Sequence, residues 1–264
     1  MYLSRFFGDA ASPHPCASCG DTELLGFDIR MAFQPIVDAR DRSVYGYEAL
    51  VRTVDGGGAA EVLAQVGPQQ LYRFDQTCRV KAIETAARLG LRSRLSINFL
   101  PNAVYEPATC IRLTLAAAER CGFPTGLLVF ETAESEQVRD HAHLVRIFRD
   151  YRSRGFLTAI DDFGAGYAGL GLLAEFQPDL LKLDMALLRG IDADPARQAI
   201  VGGVIQIAAA LGSTVLAEGV ETRAEYRTLR NLGVPLFQGY LFGRPQLETL
   251  AQVTAASWDA LEQA

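Results

Sequence analysis

Five times along this chain, a stretch with helical periodicity stops at a glycine and is followed at once by a short apolar run. The stops are AARLG at Gly90, AERCG at Gly122, RSRG at Gly155, AALG at Gly212 and RNLG at Gly233. Glycine accepts the left-handed backbone that closes a helix, so each marks a C-cap. The runs that follow are LSINFL, LLVFET, LTAIDDF, STVLAEGV and PLFQGYLFG. They are too short for helices and rich in valine, isoleucine, leucine and phenylalanine, which reads as buried strands. Thr222-x-x-Glu225, after one of them, is a capping box that opens the next helix. Three more strand candidates are MAFQPIV (31–37), SVYGYEALVR (43–52) and LLKLD (180–184). About eight strands, mostly separated by helices, predict an α/β chain folded as a (β/α)8 TIM-like barrel. Only DARDR separates the first two strands, too little for a parallel crossover, so the first strand is expected antiparallel to the rest.

The pattern runs without a linker or charge block from about residue 28 to 250. Residues 1–27 are expected to form an N-terminal extension and 251–264 a C-terminal helix. With 49% hydrophobic and 21% charged residues among 264, disorder is excluded. A net charge of −6 argues against a sequence-independent grip on duplex DNA or an anionic membrane. No apolar run approaches the length of a membrane span and no signal-peptide core is visible, so the expected setting is cytoplasmic. The five cysteines are odd in number and scattered, which reads as reduced thiols. Cys16-Ala-Ser-Cys19, preceded by His14, has a redox or metal spacing, but no second such pair completes a zinc site.

The informative residues interrupt the apolar runs. Gln34, Glu48, Asn98, Glu131, Asp161 with Asp162, Lys182 with Asp184, Glu218 with Glu221, and Gln238 are expected at or near C-terminal strand ends. In a barrel those ends converge on one mouth. A lone buried carboxylate costs several kcal/mol, so folding alone does not favour the pattern. Carboxylates sharing one pocket repel unless cations neutralise them. The set Glu48, Asn98, Glu131, Asp161, Asp162 and Glu218 offers only oxygen ligands, which suits magnesium or manganese. Asp161-Asp162 at a strand-to-loop junction can turn both carboxylates toward the mouth and bridge two metals, as in a phosphoryl displacement. Arg52 shares a strand face with Glu48 and Leu50, ~13 Å from Glu48, where it can hold a more distant anionic group. Lys182 is placed to orient water and stabilise developing charge.

Gly164-Ala-Gly166-Tyr-Ala-Gly169 also matches G-x-G-x-x-G, and Asp184 falls where a ribose-binding acid would stand. This raises the alternative of a dinucleotide-cofactor oxidoreductase. Against it, Asp161 and Asp162 directly precede the loop, where a pyrophosphate would meet two negative charges.

The ordered motifs FQPI (33–36), YEALVR (47–52), SINF (96–99), FETAE (130–134), AIDDFGAGYAGL (159–170), PDLLKLD (178–184), AEGVET (217–222) and FQGYLFGRP (237–245) resemble those of the EAL-domain family. These are bacterial phosphodiesterases that open cyclic di-GMP to linear pGpG. The resemblance implies a cytoplasmic hydrolase that uses two divalent cations, magnesium or manganese. By that resemblance Glu48, Asn98, Glu131, Asp161, Asp162 and Glu218 are metal ligands. Lys182 positions the attacking water and Glu218 is a candidate general base. Gln34, Leu50, Arg52, Asp184 and Glu221 contact substrate, and Gln238 lies near water and metal. The resemblance also implies that Glu134 steadies the loop of Gly164 and Gly166 and that this loop links the site to a homodimer interface. Ala133 replaces the family's usual threonine beside Glu134. The segment after Arg52 resembles the branch joined to sensor modules, which implies a regulatory sensor partner. A non-catalytic cyclic di-GMP receptor is the further alternative; against it, all six metal positions are filled.

Overall fold

The computed structural model describes residues 25–133, 141–165 and 169–262. Its strands are β1 (Arg30–Asp38), β2 (Ser43–Arg52), β3 (Arg94–Asn98), β4 (Leu128–Ala133), β5 (Leu157–Phe163), β6 (Leu180–Leu183), β7 (Thr214–Ala217), β8 (Leu236–Gln238) and the two-residue β9 (Gln246–Leu247). Strands β2 to β8 run parallel in chain order, and β1 closes the sheet by pairing antiparallel with both β2 and β8. The result is an eight-stranded barrel with the first strand reversed, as the short 39–42 connection requires. A closed sheet has no switch-point crevice of the kind at which a glycine-rich loop binds a dinucleotide.

The five glycine stops all adopt positive φ: Gly90, Gly122, Gly155, Gly212 and Gly233. At Gly122 and Gly212 the glycine is the left-handed C-cap of helices Arg112–Cys121 and Pro195–Leu211. Thr222 and Glu225 form the capping box of helix Arg223–Asn231. Outside the barrel, helices Leu71–Arg88 and His141–Ser153 bring Ala82, Ile83, Ile147, Phe148 and Tyr151 onto the outward faces of the strands. Inside, Ile36, Val129, Ala159, Leu180, Leu216 and Leu236 form a separate apolar plug. Helix Ala255–Glu262 packs Trp258 and Leu261 onto the outer core, and Tyr47 Oη donates to the Ala251 carbonyl at 2.8 Å.

Two expectations need correction. Gln34 is not near the C-terminal end of its strand: it sits in the middle of β1, opposite Glu48, because β1 is reversed and runs away from the mouth. The apolar run PLFQGYLFG holds only a three-residue strand. At Gly239 (φ +156°) the chain turns so close to Val220 that a Cβ would lie 2.1 Å from the Val220 carbonyl oxygen. β9 takes up the pairing with β1 beyond that turn, at Ala32 and Phe33. Among the described residues, no helix is long and apolar enough to cross a membrane. His14, Cys16, Cys19, Glu134 and Gly166 lie outside the described residues; Gly164 lies within them at φ +97°.

Candidate active site

Inward positions of a strand recur every second residue. One step beyond the plug toward the mouth, they are Gln34, Glu131, Asp161, Lys182, Glu218 and Gln238. Glu48 and Asn98 join them from β2 and β3. Lys182 is at the centre, 1% exposed. Its Nζ lies 3.1 Å from Glu131 Oε2, 3.1 Å from Asp161 Oδ1 and 2.9 Å from Glu218 Oε1. Burial would discharge this ammonium, but Asp161, Glu131 and Glu218 hold its pKa well above the ordinary lysine value.

The carboxylates separate electrostatically. Burial pushes Glu131 well above the usual carboxylate range; Lys182 opposes this, while Glu48 and Asp161 add to it. Glu218 is also pushed well above that range, by burial and then by the Asp161 charge, with Lys182 opposing. Burial acts against Asp161 too, yet Lys182 and hydrogen bonds from Glu218, Lys182 and the Asp162 amide hold its carboxyl below the ordinary value. Asp161 is thus the anion around which the site is arranged.

The Asp161-Asp162 pair is resolved by a local break. The β5–β6 register shifts between Ile160 and Phe163, and Asp162 takes φ +54°. Only a few per cent of non-glycine residues adopt that left-handed region. The twist removes the alternation that would send the two side chains to opposite faces. Carboxylate oxygens of Asp161, Asp162 and Glu218 consequently lie within 4.8 Å of one another, as do those of Glu48, Glu131 and Asp161. The two groups share Asp161.

A chain of amides orders the other side. Gln238 Nε2 donates to Glu48 Oε2 at 2.6 Å and to Gln34 Oε1 at 3.2 Å, and Gln34 Nε2 donates to the Gly243 carbonyl at 3.1 Å. Asn98 Nδ2 donates to Glu48 Oε1 at 3.1 Å and to Glu131 Oε1 at 2.9 Å. A ligand role for Asn98 requires its amide to turn so that the oxygen faces the ion. Ser96, absent from the expected site, donates from its hydroxyl to Glu131 Oε2. The signal was present: Ser96 and Asn98 are two apart on β3 and therefore share a face.

At the rim the expected residues divide. Arg52 is half-buried, its Nη1 donating to the Val51 carbonyl at 2.7 Å, and it has no ion-pair partner among the described residues. Leu50 lines a cavity of about 410 Å³ that opens beside Asn98, Asp161 and Asp162 and is walled by Leu63, Phe74 and Phe99. Asp184 is buried, and its Oδ1 accepts the Ala186 N–H at 2.7 Å as the N-cap of the short helix Met185–Leu188. Glu221 is turned to Arg189, 3.0 Å away. The structure therefore gathers the metal set, Lys182, Gln34 and Gln238 into one cluster, while Asp184 and Glu221 are engaged in local contacts.

The donor set fits divalent cations. Five carboxylates face one ammonium, every ligand atom is a hard oxygen, and the two oxygen groups share one aspartate.

The EAL domain family model matches residues 23–245. The chain is 50% identical to a standalone EAL protein of Vibrio cholerae solved in its c-di-GMP-bound form, with a TM-score of 0.85 over 90% of this chain and 99% of that one. BlrP1 of Klebsiella pneumoniae, solved as a manganese and cy-diGMP complex, is 36% identical with a TM-score of 0.82, covering 87% of this chain and 59% of that one. The cyclic di-GMP phosphodiesterase RocR of Pseudomonas aeruginosa is 32% identical over 162 residues, which are 61% of this chain and 41% of RocR. The chain spans about half the length, or less, of the curated relatives it matches.

Proposed function

The chain belongs to the EAL domain family, and from that premise we propose that it is a divalent-cation-dependent phosphodiesterase opening cyclic di-GMP to linear pGpG. The observation that carries this reading is the pair of carboxylate groups sharing Asp161, with Lys182 set among them. Glu48, Glu131 and Asp161 would hold one cation; Asp161, Asp162 and Glu218 would hold the second, with Asn98 assisting after its amide turns. Magnesium or manganese there would neutralise phosphate oxygens and make water easier to deprotonate. Lys182 keeps its proton and orients the attacking water, while Glu218, whose own proton would pass to solvent when a cation binds, accepts the one that water gives up. Arg52, half-buried at the rim, holds the phosphate that does not react. Leu50 and the apolar cavity beside it offer a surface for a base.

A homodimer has an apolar face to use. Helix Pro195–Leu211 buries only Val201 and Ala208 and leaves Ile200, Ile207 and Leu211 exposed. A regulatory sensor partner remains part of the reading. A cytoplasmic setting suits the free thiols Cys78, Cys110 and Cys121.

The test is incubation of cyclic di-GMP with the protein and magnesium or manganese, with and without chelator, and identification of the product. Linear pGpG formed only in the absence of chelator is expected. Tight binding without turnover would make the chain a receptor instead.

A further inference from the structure

Asn98 and Glu131 face into the barrel, and their chain neighbours Phe99 and Phe130 face outward. The Arg79 guanidinium lies behind those rings, 5.4 Å from the Phe99 centroid and 5.5 Å from that of Phe130. Arg79 belongs to helix Leu71–Arg88 and is fully buried. Its Nη1 donates to Tyr151 Oη at 2.7 Å, and its Nη2 lies 2.6 Å from Asp75 Oδ2. The other Asp75 oxygen serves the backbone: Oδ1 accepts the Leu100 N–H at 2.9 Å. On the opposite side the Phe99 N–H donates to the Glu131 carbonyl at 2.9 Å. The end of β3 is thus held between the β4 backbone and one carboxylate of the outer helix layer.

Cohesion alone does not explain this arrangement. A buried ion pair can commonly be replaced by apolar side chains at no cost in stability. What apolar side chains cannot supply is an acceptor for the Leu100 N–H, two residues beyond Asn98. We propose that Asp75 is a positioning residue of the site: by accepting that N–H it fixes the end of β3, and so sets Asn98 against Glu48 and Glu131 in the arrangement that receives a divalent cation. Arg79 acts through Asp75: its guanidinium, 2.6 Å from Oδ2, opposes the burial that raises the Asp75 pKa and aims the carboxylate. This inference rests on the cation-dependent reading above.

The test titrates manganese alone into the full chain and two variants by calorimetry, with melting curves to establish that each is folded. D75A/R79M removes the charge pair and the acceptor together. D75N/R79M removes the same charges but keeps a side-chain oxygen for Leu100. D75A/R79M is expected to bind manganese about tenfold more weakly than the unmodified chain, as loss of an outer-shell partner typically does; D75N/R79M is expected to regain most of that loss. Folded D75A/R79M that binds as tightly as the unmodified chain overturns the inference and leaves the functional reading intact. D75N/R79M as weak as D75A/R79M also overturns it. An unmodified chain that binds no manganese overturns the reading and the inference together. Should D75A/R79M not fold, hydrogen exchange of the Leu100 amide in the unmodified chain decides: coupling is reciprocal, so saturating magnesium must slow it. Unchanged exchange refutes the clamp.

Discussion

Two layers of the barrel interior, one residue pair apart on the same strands, obey opposite rules. In the lower layer Ile36, Val129, Ala159, Leu180, Leu216 and Leu236 pack together, with Tyr45 and Leu157 against them. In the upper layer Gln34, Glu131, Asp161, Lys182, Glu218 and Gln238 occupy the matching positions and bond to one another across the barrel. The lower layer is non-directional, gaining roughly 25 cal/mol for each Å² removed from water. The upper layer is directional and sets three carboxyl groups around one ammonium. Stability is therefore stored below and held under electrostatic tension above, where cations would relieve it.

The contrast can be broken most severely at Glu48. Glu48→Ala is expected to abolish turnover of cyclic di-GMP in saturating magnesium or manganese while the melting temperature stays close to that of the unmodified chain. Near-normal rates would refute its assignment as a ligand.

Next comes pH. Burial and neighbouring charge raise the Glu131 and Glu218 pKa values well above the usual range, and a cation binds only the deprotonated forms. Below those raised values protons compete with the ion, so manganese affinity must strengthen as pH rises, by about tenfold per pH unit for each proton displaced. Calorimetric titration across pH that shows flat affinity would mean these carboxylates do not take up the ion.

Arg52 gives a smaller effect. Arg52→Ala should raise KM roughly tenfold with little change in kcat, the signature of binding that is uniform between ground and transition state. An unchanged KM would remove Arg52 from the substrate surface. In the lower layer the signs reverse: Leu216→Ala should cost about 2–4 kcal/mol of stability in denaturant unfolding yet leave kcat and KM near those of the unmodified chain. A large loss of rate at full folding would show that the plug also sets the geometry of the layer above it.

Much of this was legible in the chain. The five glycine stops, the capping box at Thr222 and Glu225, and the short link after β1 are governed by backbone sterics within a few residues, and the structure repeats them. The polar residues of the mouth could be listed because charge in an apolar strand is locally anomalous. Their relations could not. Gln34 meets Glu48 through antiparallel register rather than strand-end position. Asp162 joins Asp161 through a left-handed kink and a register shift against β6. Ser96 is readable from strand alternation with Asn98, but Asp75 and Arg79 form an Asp-x-x-x-Arg pair on a helix, which looks ordinary until tertiary packing buries it.

By itself, the sequence determined the order and kind of elements, the reversal of the first strand and the identity of the carboxylates, because helix caps, period-two alternation and loop reach act over short stretches of chain. The tertiary structure alone decided that Lys182 stands between three carboxylates and that Asp75 reaches the end of β3. Those facts depend on sheet closure and on register between strands far apart in sequence, which no local preference encodes.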